Sequence, residues 1–223
     1  MNIKTLRSLF FLYNVGMKYA IFDFNGTILD DVDVCIQAEN HTIRHFGLQR
    51  GPIDLDEYLH LFTFPVKNYY ENVGFDWSKF SYEEVGQYWF DWYRALRDEY
   101  KVFDGVIDVL KKSREEGYSN ILLSASSLVE LQKQLKELDI EEYFDEVLGI
   151  DNIYAGSKVD IALNWIKDKD PAKCIMIGDT LHDLDVAKAM GVDCVLVAKG
   201  HQAKEILTEN WGKVVDDIRE VKL

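Results

Sequence analysis

Four short stretches combine residue types that can do chemistry. Asp23 closes an apolar run, Tyr19-Ala20-Ile21-Phe22, and Phe24-Asn25-Gly26-Thr27 follow it. A carboxylate fixed at the end of a buried strand can act as a nucleophile, or it is a solvated strand-end acid. Ser124 closes a second run, Ile121-Leu122-Leu123, with Ala125-Ser126 behind it. Its hydroxyl and the amides of a helix start suit an anionic oxygen, although the same Ser can serve only as a cap. Lys158 follows Gly156-Ser157 and opens a helical pattern. An ammonium there can balance carboxylate and phosphoryl charge, or it sits on the surface. The strongest stretch is Gly178-Asp179-Thr180-Leu181-His182-Asp183. Two carboxylates four apart at a strand-to-helix junction repel unless a cation lies between them, and oxygen ligands suit Mg²⁺. Capping of a helix N-terminus by acids is the plainer use.

The elements that must position these residues are legible as alternating patterns. Continuous apolar runs over 19–22, 121–123, 146–148, 174–177 and 194–197 read as strands buried on both faces. Helical spacing appears in Val106-Ile107-Val109-Leu110, in Leu128-Leu131-Leu135-Leu138, in Val159-Ile161-Ala162-Trp165-Ile166 and in Leu184-Val186-Ala187-Met190. Strand alternating with helix predicts an α/β fold, a doubly wound parallel sheet with helices on both faces. In such sheets ligands bind beyond the C-terminal strand ends, where Asp23, Ser124 and Asp179 fall. Residues 30–102 break the alternation. They hold helical patterns over 33–46 and 82–100 and no buried strand, and 16 of the chain's 29 Phe, Trp and Tyr lie within 58–103. This predicts an inserted helical unit whose aromatics form a small core, with a few of them lining a lid.

Composition narrows the partners. A net charge of −14 on 223 residues opposes binding to nucleic-acid phosphates and to anionic membranes. Cys35, Cys174 and Cys194 are too far apart and too few for a disulfide framework or a Cys-rich metal site, which points to a reducing, cytoplasmic setting. The run Leu9-Phe10-Phe11-Leu12-Tyr13 behind Lys4 and Arg7 loosely resembles a signal peptide. It is short and lacks a small-residue cleavage site, so residues 1–17 read as an N-terminal extension, with Met17 a second candidate start.

Taken together, residues 18 to about 210 resemble the haloacid dehalogenase-like hydrolase superfamily. Phe22-Asp23-Phe24-Asn25-Gly26-Thr27 resembles its nucleophile motif, Ser124 its second motif, Lys158 its third, and Gly178-Asp179 with Asp183 its fourth. The insert resembles the helical C1 cap of the phosphoglycolate-phosphatase-like group, and Phe103-Asp104-Gly105-Val106 its exit. The resemblance implies a Rossmann-like core of residues 18–29 and 103–223 with a cap of residues 30–102. It implies a phosphatase acting on a small phosphorylated metabolite. Asp23 would attack phosphorus; Ser124, Lys158 and the loop amides around Gly26, Thr27 and Ala125 would hold phosphoryl oxygens. Mg²⁺ would be held by Asp23, the Asn25 carbonyl and Asp179, with Asp183 behind.

One departure stands out. The family's second acid, two residues after the nucleophile, is here Asn25, and an amide cannot shuttle a proton. His41, His45 and His60 are the candidates to replace it, although each reads first as a structural or surface residue. The same departure keeps two alternatives: a weakly active or non-catalytic phospholigand-binding protein, and a phosphonoacetaldehyde-hydrolase-like C–P hydrolase using Lys67. The acidic fourth motif disfavours a dehalogenase, and Asn25 disfavours a phosphomutase. General acid–base help is worth about 10²–10⁴-fold. Asn25→Asp is therefore expected to raise turnover of an alkyl phosphate more than that of an aryl phosphate, which leaves without protonation. Equal effects on both esters in steady-state assays would contradict this reading.

Overall fold

The computed structural model describes residues 16–150 and 157–223. The expected extension over 1–17 lies outside the described residues apart from its last two. Five parallel strands form the body of the sheet: β1 (Lys18–Phe22), β4 (Tyr118–Ser127), β5 (Glu146–Ile150), β6 (Cys174–Gly178) and β7 (Asp193–Val197). A short β8 (Val214–Val215) completes it, in the order β5-β4-β1-β6-β7-β8. The fold is an α/β doubly wound parallel sheet. β1 lies at its centre, where the chain reverses its direction across the sheet, and this is the place where such sheets bind ligands.

Period-two alternation explains why the strands read as unbroken apolar runs. Ala20, Phe22, Leu122, Ile177 and Val197 face one side, packed on Val106, Val109 and Leu110 of α5 (Val106–Glu115) and Leu131 and Leu135 of α6 (Leu128–Glu137). Tyr19, Ile21, Ile121, Leu123, Met176 and Leu196 face the other. There they meet α7 (Lys158–Ile166), α8 (Leu181–Met190) and α9 (Lys204–Asn210). Both faces are covered, so neither can be polar.

Between β2 (Leu29–Asp30) and β3 (Lys101–Val102) the chain leaves the sheet and builds α1 (Val32–His45), α2 (Leu55–Leu61), α3 (Val66–Val73) and α4 (Tyr82–Ala95). These helices enclose a core of their own, with Tyr58, Tyr69, Tyr70, Phe75 and Tyr93 buried in it. The two-residue strands β2 and β3 pair antiparallel, Leu29 with Val102 and Asp30 with Lys101, and tie the two crossings together. The sequence pattern carries no sign of this pair, because two residues are too few to alternate. The helix expected over 82–100 stops at Ala95, and Arg97–Glu99 form a 3₁₀ turn leading into β3. Among the described residues no helix is long and apolar enough to cross a membrane.

Candidate active site

Strand register delivers the site. Phe22 is level with Leu122 on one side and Ile177 on the other. Continuing one or two residues brings Asp23, Ser124 and Asp179 out at the same sheet edge, and the Asp23 amide donates to Ile177 O at 2.8 Å. Lys158, the first residue of α7, is 3% exposed and reaches across this edge. Its ammonium contacts Asp23 Oδ1 and donates to Asp183 Oδ1 at 2.6 Å. Burial alone would lower the ammonium's pKa; Asp183 and Asp23 overcome that and hold it above its ordinary value. Burial pushes Asp23 well above the usual carboxylate range, with Asp183 and Asp179 adding to the push and Lys158 opposing it.

Asp183 does two jobs. Its Oδ2 accepts from Thr180 N at 3.0 Å and Thr180 Oγ1 at 2.8 Å, closing a capping box on α8, while its Oδ1 takes Lys158. Asp179 is held from behind: Thr27 Oγ1 donates to Oδ1 at 3.1 Å and the His201 amide to Oδ2 at 2.7 Å. Burial raises Asp179 to about 6. A Cβ at Gly200 would run into Asp179 Oδ2 and Gly26 O, so the chain passes here only as glycine. Carboxylate oxygens of Asp23, Asp179 and Asp183 all lie within 4.8 Å of one another, and all three residues are buried. Lys158 is the only ammonium bonded to this set among the described residues. The remaining negative charge and the all-oxygen donor set fit a hard divalent cation.

A cavity of about 240 Å³ opens above these groups. Asp23, Asn25, Ser124, Ala125, Lys158, Asp179 and Asp183 line it, so the residues singled out from the sequence come together here. Gly26 and Thr27 do not. The Gly26 amide donates to Leu29 O at 2.9 Å and Asp31 Oδ1 at 3.1 Å, and the Thr27 amide turns to Phe24 O at 3.3 Å. This corrects their expected place on phosphoryl oxygens: both donors are spent inside the loop, and the Thr27 side chain braces Asp179.

The three histidines of the insert take structural or surface places. His41 stacks on Trp92, His45 stacks on Tyr88, and His60 is an exposed residue bonded to Asp56 O; none lines the cavity. Lys67 is exposed and lies over the Trp77 ring, 5.8 Å from its centroid, away from the cavity, which removes the lysine that C–P hydrolysis would need. The histidine that does sit by Asn25 is His201, which sequence reasoning passed over. Its position just past the β7 strand end was the available signal. His201 Nε2 pairs with Asp31 Oδ1 at 3.3 Å, and Nδ1 meets the Tyr58 hydroxyl at 3.0 Å. Burial would lower this imidazole; Asp31 overcomes it and holds it at about 9. Asp31, fully buried, is kept below the ordinary carboxylate range. Burial opposes this, but the His201 charge and bonds from His201, Asn25 and Tyr93 prevail. The Asn25 amide donates to Asp31 Oδ2 at 2.7 Å and to Tyr93 Oη at 2.9 Å.

Comparison with known proteins agrees with this arrangement. The family model described as haloacid dehalogenase-like hydrolase matches residues 20–197. The tyrosine-protein kinase PtkA of Mycobacterium tuberculosis is 25% identical over 212 residues, covering 91% of this chain and 72% of PtkA. A phosphoglycolate phosphatase of Aliivibrio fischeri is 23% identical, covering 90% and 92% of the two chains. A crystal structure of a predicted phosphatase from Clostridium acetobutylicum superposes with a TM-score of 0.73 at 23% identity, covering 92% of this chain and 95% of that one.

The Asn25–Asp31 bond generates a prediction. Asn25→Asp sets a half-buried carboxylate at hydrogen-bond distance from the buried Asp31, which favours proton uptake by the pair. That raises a folded-state pKa above its unfolded value, so the stability kept at low pH is lost as pH rises through it. The penalty is about 1–3 kcal/mol. The melting temperature of Asn25→Asp should fall further below wild type at pH 8 than at pH 5, and the swap Asn25→Asp/Asp31→Asn should recover most of the loss. Equal losses at both pH values would contradict this account of the pair.

Proposed function

The chain belongs to the haloacid dehalogenase-like hydrolase family, and we propose that within it this protein is a Mg²⁺-dependent phosphatase of small-molecule phosphomonoesters. The carrying observation is the buried cluster in which Lys158 joins Asp23 to Asp183 beside Asp179, at the floor of a cavity beyond the strand ends. In this reading residues 18–29 and 103–223 are the catalytic core and residues 30–102 are the cap. The names of two relatives, a phosphoglycolate phosphatase and a tyrosine-protein kinase, both describe phosphoryl chemistry and support the reading. Three buried free cysteines suit a cytoplasmic protein.

The Asp23 carboxylate attacks phosphorus in line. The bond from phosphorus to the ester oxygen breaks, its electron pair leaves with that oxygen, and an aspartyl-phosphate remains. Ser124 donates its hydroxyl to a phosphoryl oxygen, and Lys158 keeps Asp23 aligned while offsetting the charge that gathers there. Water then attacks the same phosphorus, the bond to Asp23 breaks, and inorganic phosphate departs with Asp23 restored. Asp23, the Asn25 carbonyl and Asp179, with Asp183 in support, would hold Mg²⁺, whose charge would offset that of the phosphoryl oxygens. Asn25 supplies no proton to the leaving oxygen, so poor leaving groups depart slowly. That feature favours, as a second reading, a weakly active protein that chiefly binds a phosphorylated ligand.

A phosphatase screen with and without Mg²⁺ tests the proposal. Turnover of an activated phosphate ester should require the cation and fall at least about 10³-fold in Asp23→Asn. Turnover that survives in Asp23→Asn, or that ignores chelation, would contradict it. Binding of phosphate esters without turnover would favour the second reading.

A further inference from the structure

Resting on the phosphatase reading above, we infer that the substrate is the phosphate monoester of a neutral aromatic alcohol, an aryl phosphate whose ring is taken up under the helical insert. The upper wall of the cavity is built from aromatic and aliphatic side chains of α2, α3, α4 and the segment joining α2 to α3. Tyr58, Phe62, Phe64, Val66, Trp89 and Tyr93 carry the argument. A cavity of about 150 Å³ with apolar walls already accepts a benzene ring. The 240 Å³ here leaves room for one ring with its phosphoryl group at the charged floor. The rings are not a loose collection: Trp89 stacks on Tyr93 with centroids 5.0 Å apart, and Phe64 stacks on His182 at 4.4 Å.

A charged substrate tail would find no free cation there. Among the described residues no arginine lines this cavity. Lys158 is engaged by Asp23 and Asp183, and His201 by Asp31. Arg50 is turned to Val73 O and Glu57. At the neighbouring mouth, outside this cavity, Arg94 pairs with Glu130 at 2.9 Å, and Arg97 and Lys133 share Glu137 at 3.9 Å each. Inside the cavity, a carboxylate or second phosphate on the substrate would therefore be buried against rings with no free cation beside it, which is costly.

The leaving-group chemistry points the same way. The Asn25 amide hydrogens go to Asp31 and Tyr93, the Tyr93 hydroxyl to Asp31 at 2.7 Å, and both His201 ring nitrogens to Asp31 and Tyr58. These polar hydrogens are committed to one another, and His182, the other imidazole lining the cavity, stacks on Phe64. An ester whose oxygen departs unprotonated suits such a site. A phenol ionises near pH ~10, whereas an alkyl alcohol lies close to water at ~15.7. The ester oxygen takes the bonding pair, leaves as phenolate and collects its proton from solvent.

The experiment compares kcat/KM of the wild-type protein with Mg²⁺ on phenyl, benzyl and ethyl phosphate and on 2-phosphoglycolate, with acetyl phosphate as a small activated reference. Benzyl against ethyl isolates the ring, and phenyl against benzyl isolates the leaving group. Benzyl phosphate should exceed ethyl phosphate by about tenfold, chiefly through KM. Phenyl phosphate should exceed benzyl phosphate by about 10²-fold, chiefly through kcat. The carboxylate of 2-phosphoglycolate should place it below ethyl phosphate. Ethyl phosphate equal to benzyl phosphate, or 2-phosphoglycolate preferred over either, overturns this inference. If acetyl phosphate turns over without an aromatic preference, the inference falls and the phosphatase reading stands. If none of the five turns over, the phosphatase reading falls and takes the inference with it.

Discussion

One buried ammonium organises the molecule's working end. Lys158 Nζ lies between Asp23, which follows β1, and Asp183, which caps α8, so a single charge fastens three separate parts of the chain at the sheet edge. Taking these groups out of water is expensive, and removing one partner of a buried pair costs about 3–5 kcal/mol because it strands the other. Two of the three carboxylates have further donors that offset that expense: Asp183 has Thr180, and Asp179 has Thr27 and the His201 amide. Even so, three carboxylates against one ammonium leave the cluster negative. On the phosphatase reading, a cation among the three acids would, with Lys158, reverse the field locally and let a chain of charge −14 accept a negative ester.

A second polar network sits against the first and joins the helical insert to the sheet. Asp31, at the start of α1, receives His201, Asn25 and Tyr93, and His201 in turn meets Tyr58 of α2. Backbone contacts continue the seam. The Ala203 amide donates to Leu59 O at 3.1 Å, and Gln202 Nε2 donates to Phe62 O at 3.0 Å. The aromatic wall over the cavity is thus docked onto the loop after β7, on the same stretch of chain whose amide holds Asp179. Residues 201–203 therefore touch both the helical insert and Asp179. Asn25 belongs to this network as a donor, and a carboxylate there would break it. The missing acid and the buried Asp31 are two sides of one local solution.

Much of this was legible in the sequence because both-face burial leaves a strong mark. The five long strands are unbroken apolar runs, and chemistry-bearing residues follow three of them at once. Lys158 was legible only through its place in an ordered set of motifs; nothing in Gly156-Ser157-Lys158 alone distinguishes it from a surface lysine. Asp31 and His201 were not found, because a single Asp in Asp30-Asp31-Val32-Asp33 and a single His after a glycine carry no periodicity. Their significance arises only when β7 and α1 are brought together. Gly26 and Thr27 stand next to the site rather than on the cavity, with their amides turned into the loop, since a sequence does not say which way a loop amide points. His41 and His45 have partners, Trp92 and Tyr88, on α4, which sequence spacing within α1 does not reveal.

The account depends on Asp23 as the group that takes the phosphoryl. The most direct measurement is a rapid acid quench during turnover of an activated phosphate ester, followed by peptide mass mapping. The account predicts a phosphoryl adduct on Asp23, removed by hydroxylamine and absent in Asp23→Asn. Phosphate released with no adduct on Asp23, or with the adduct on another residue, would contradict it.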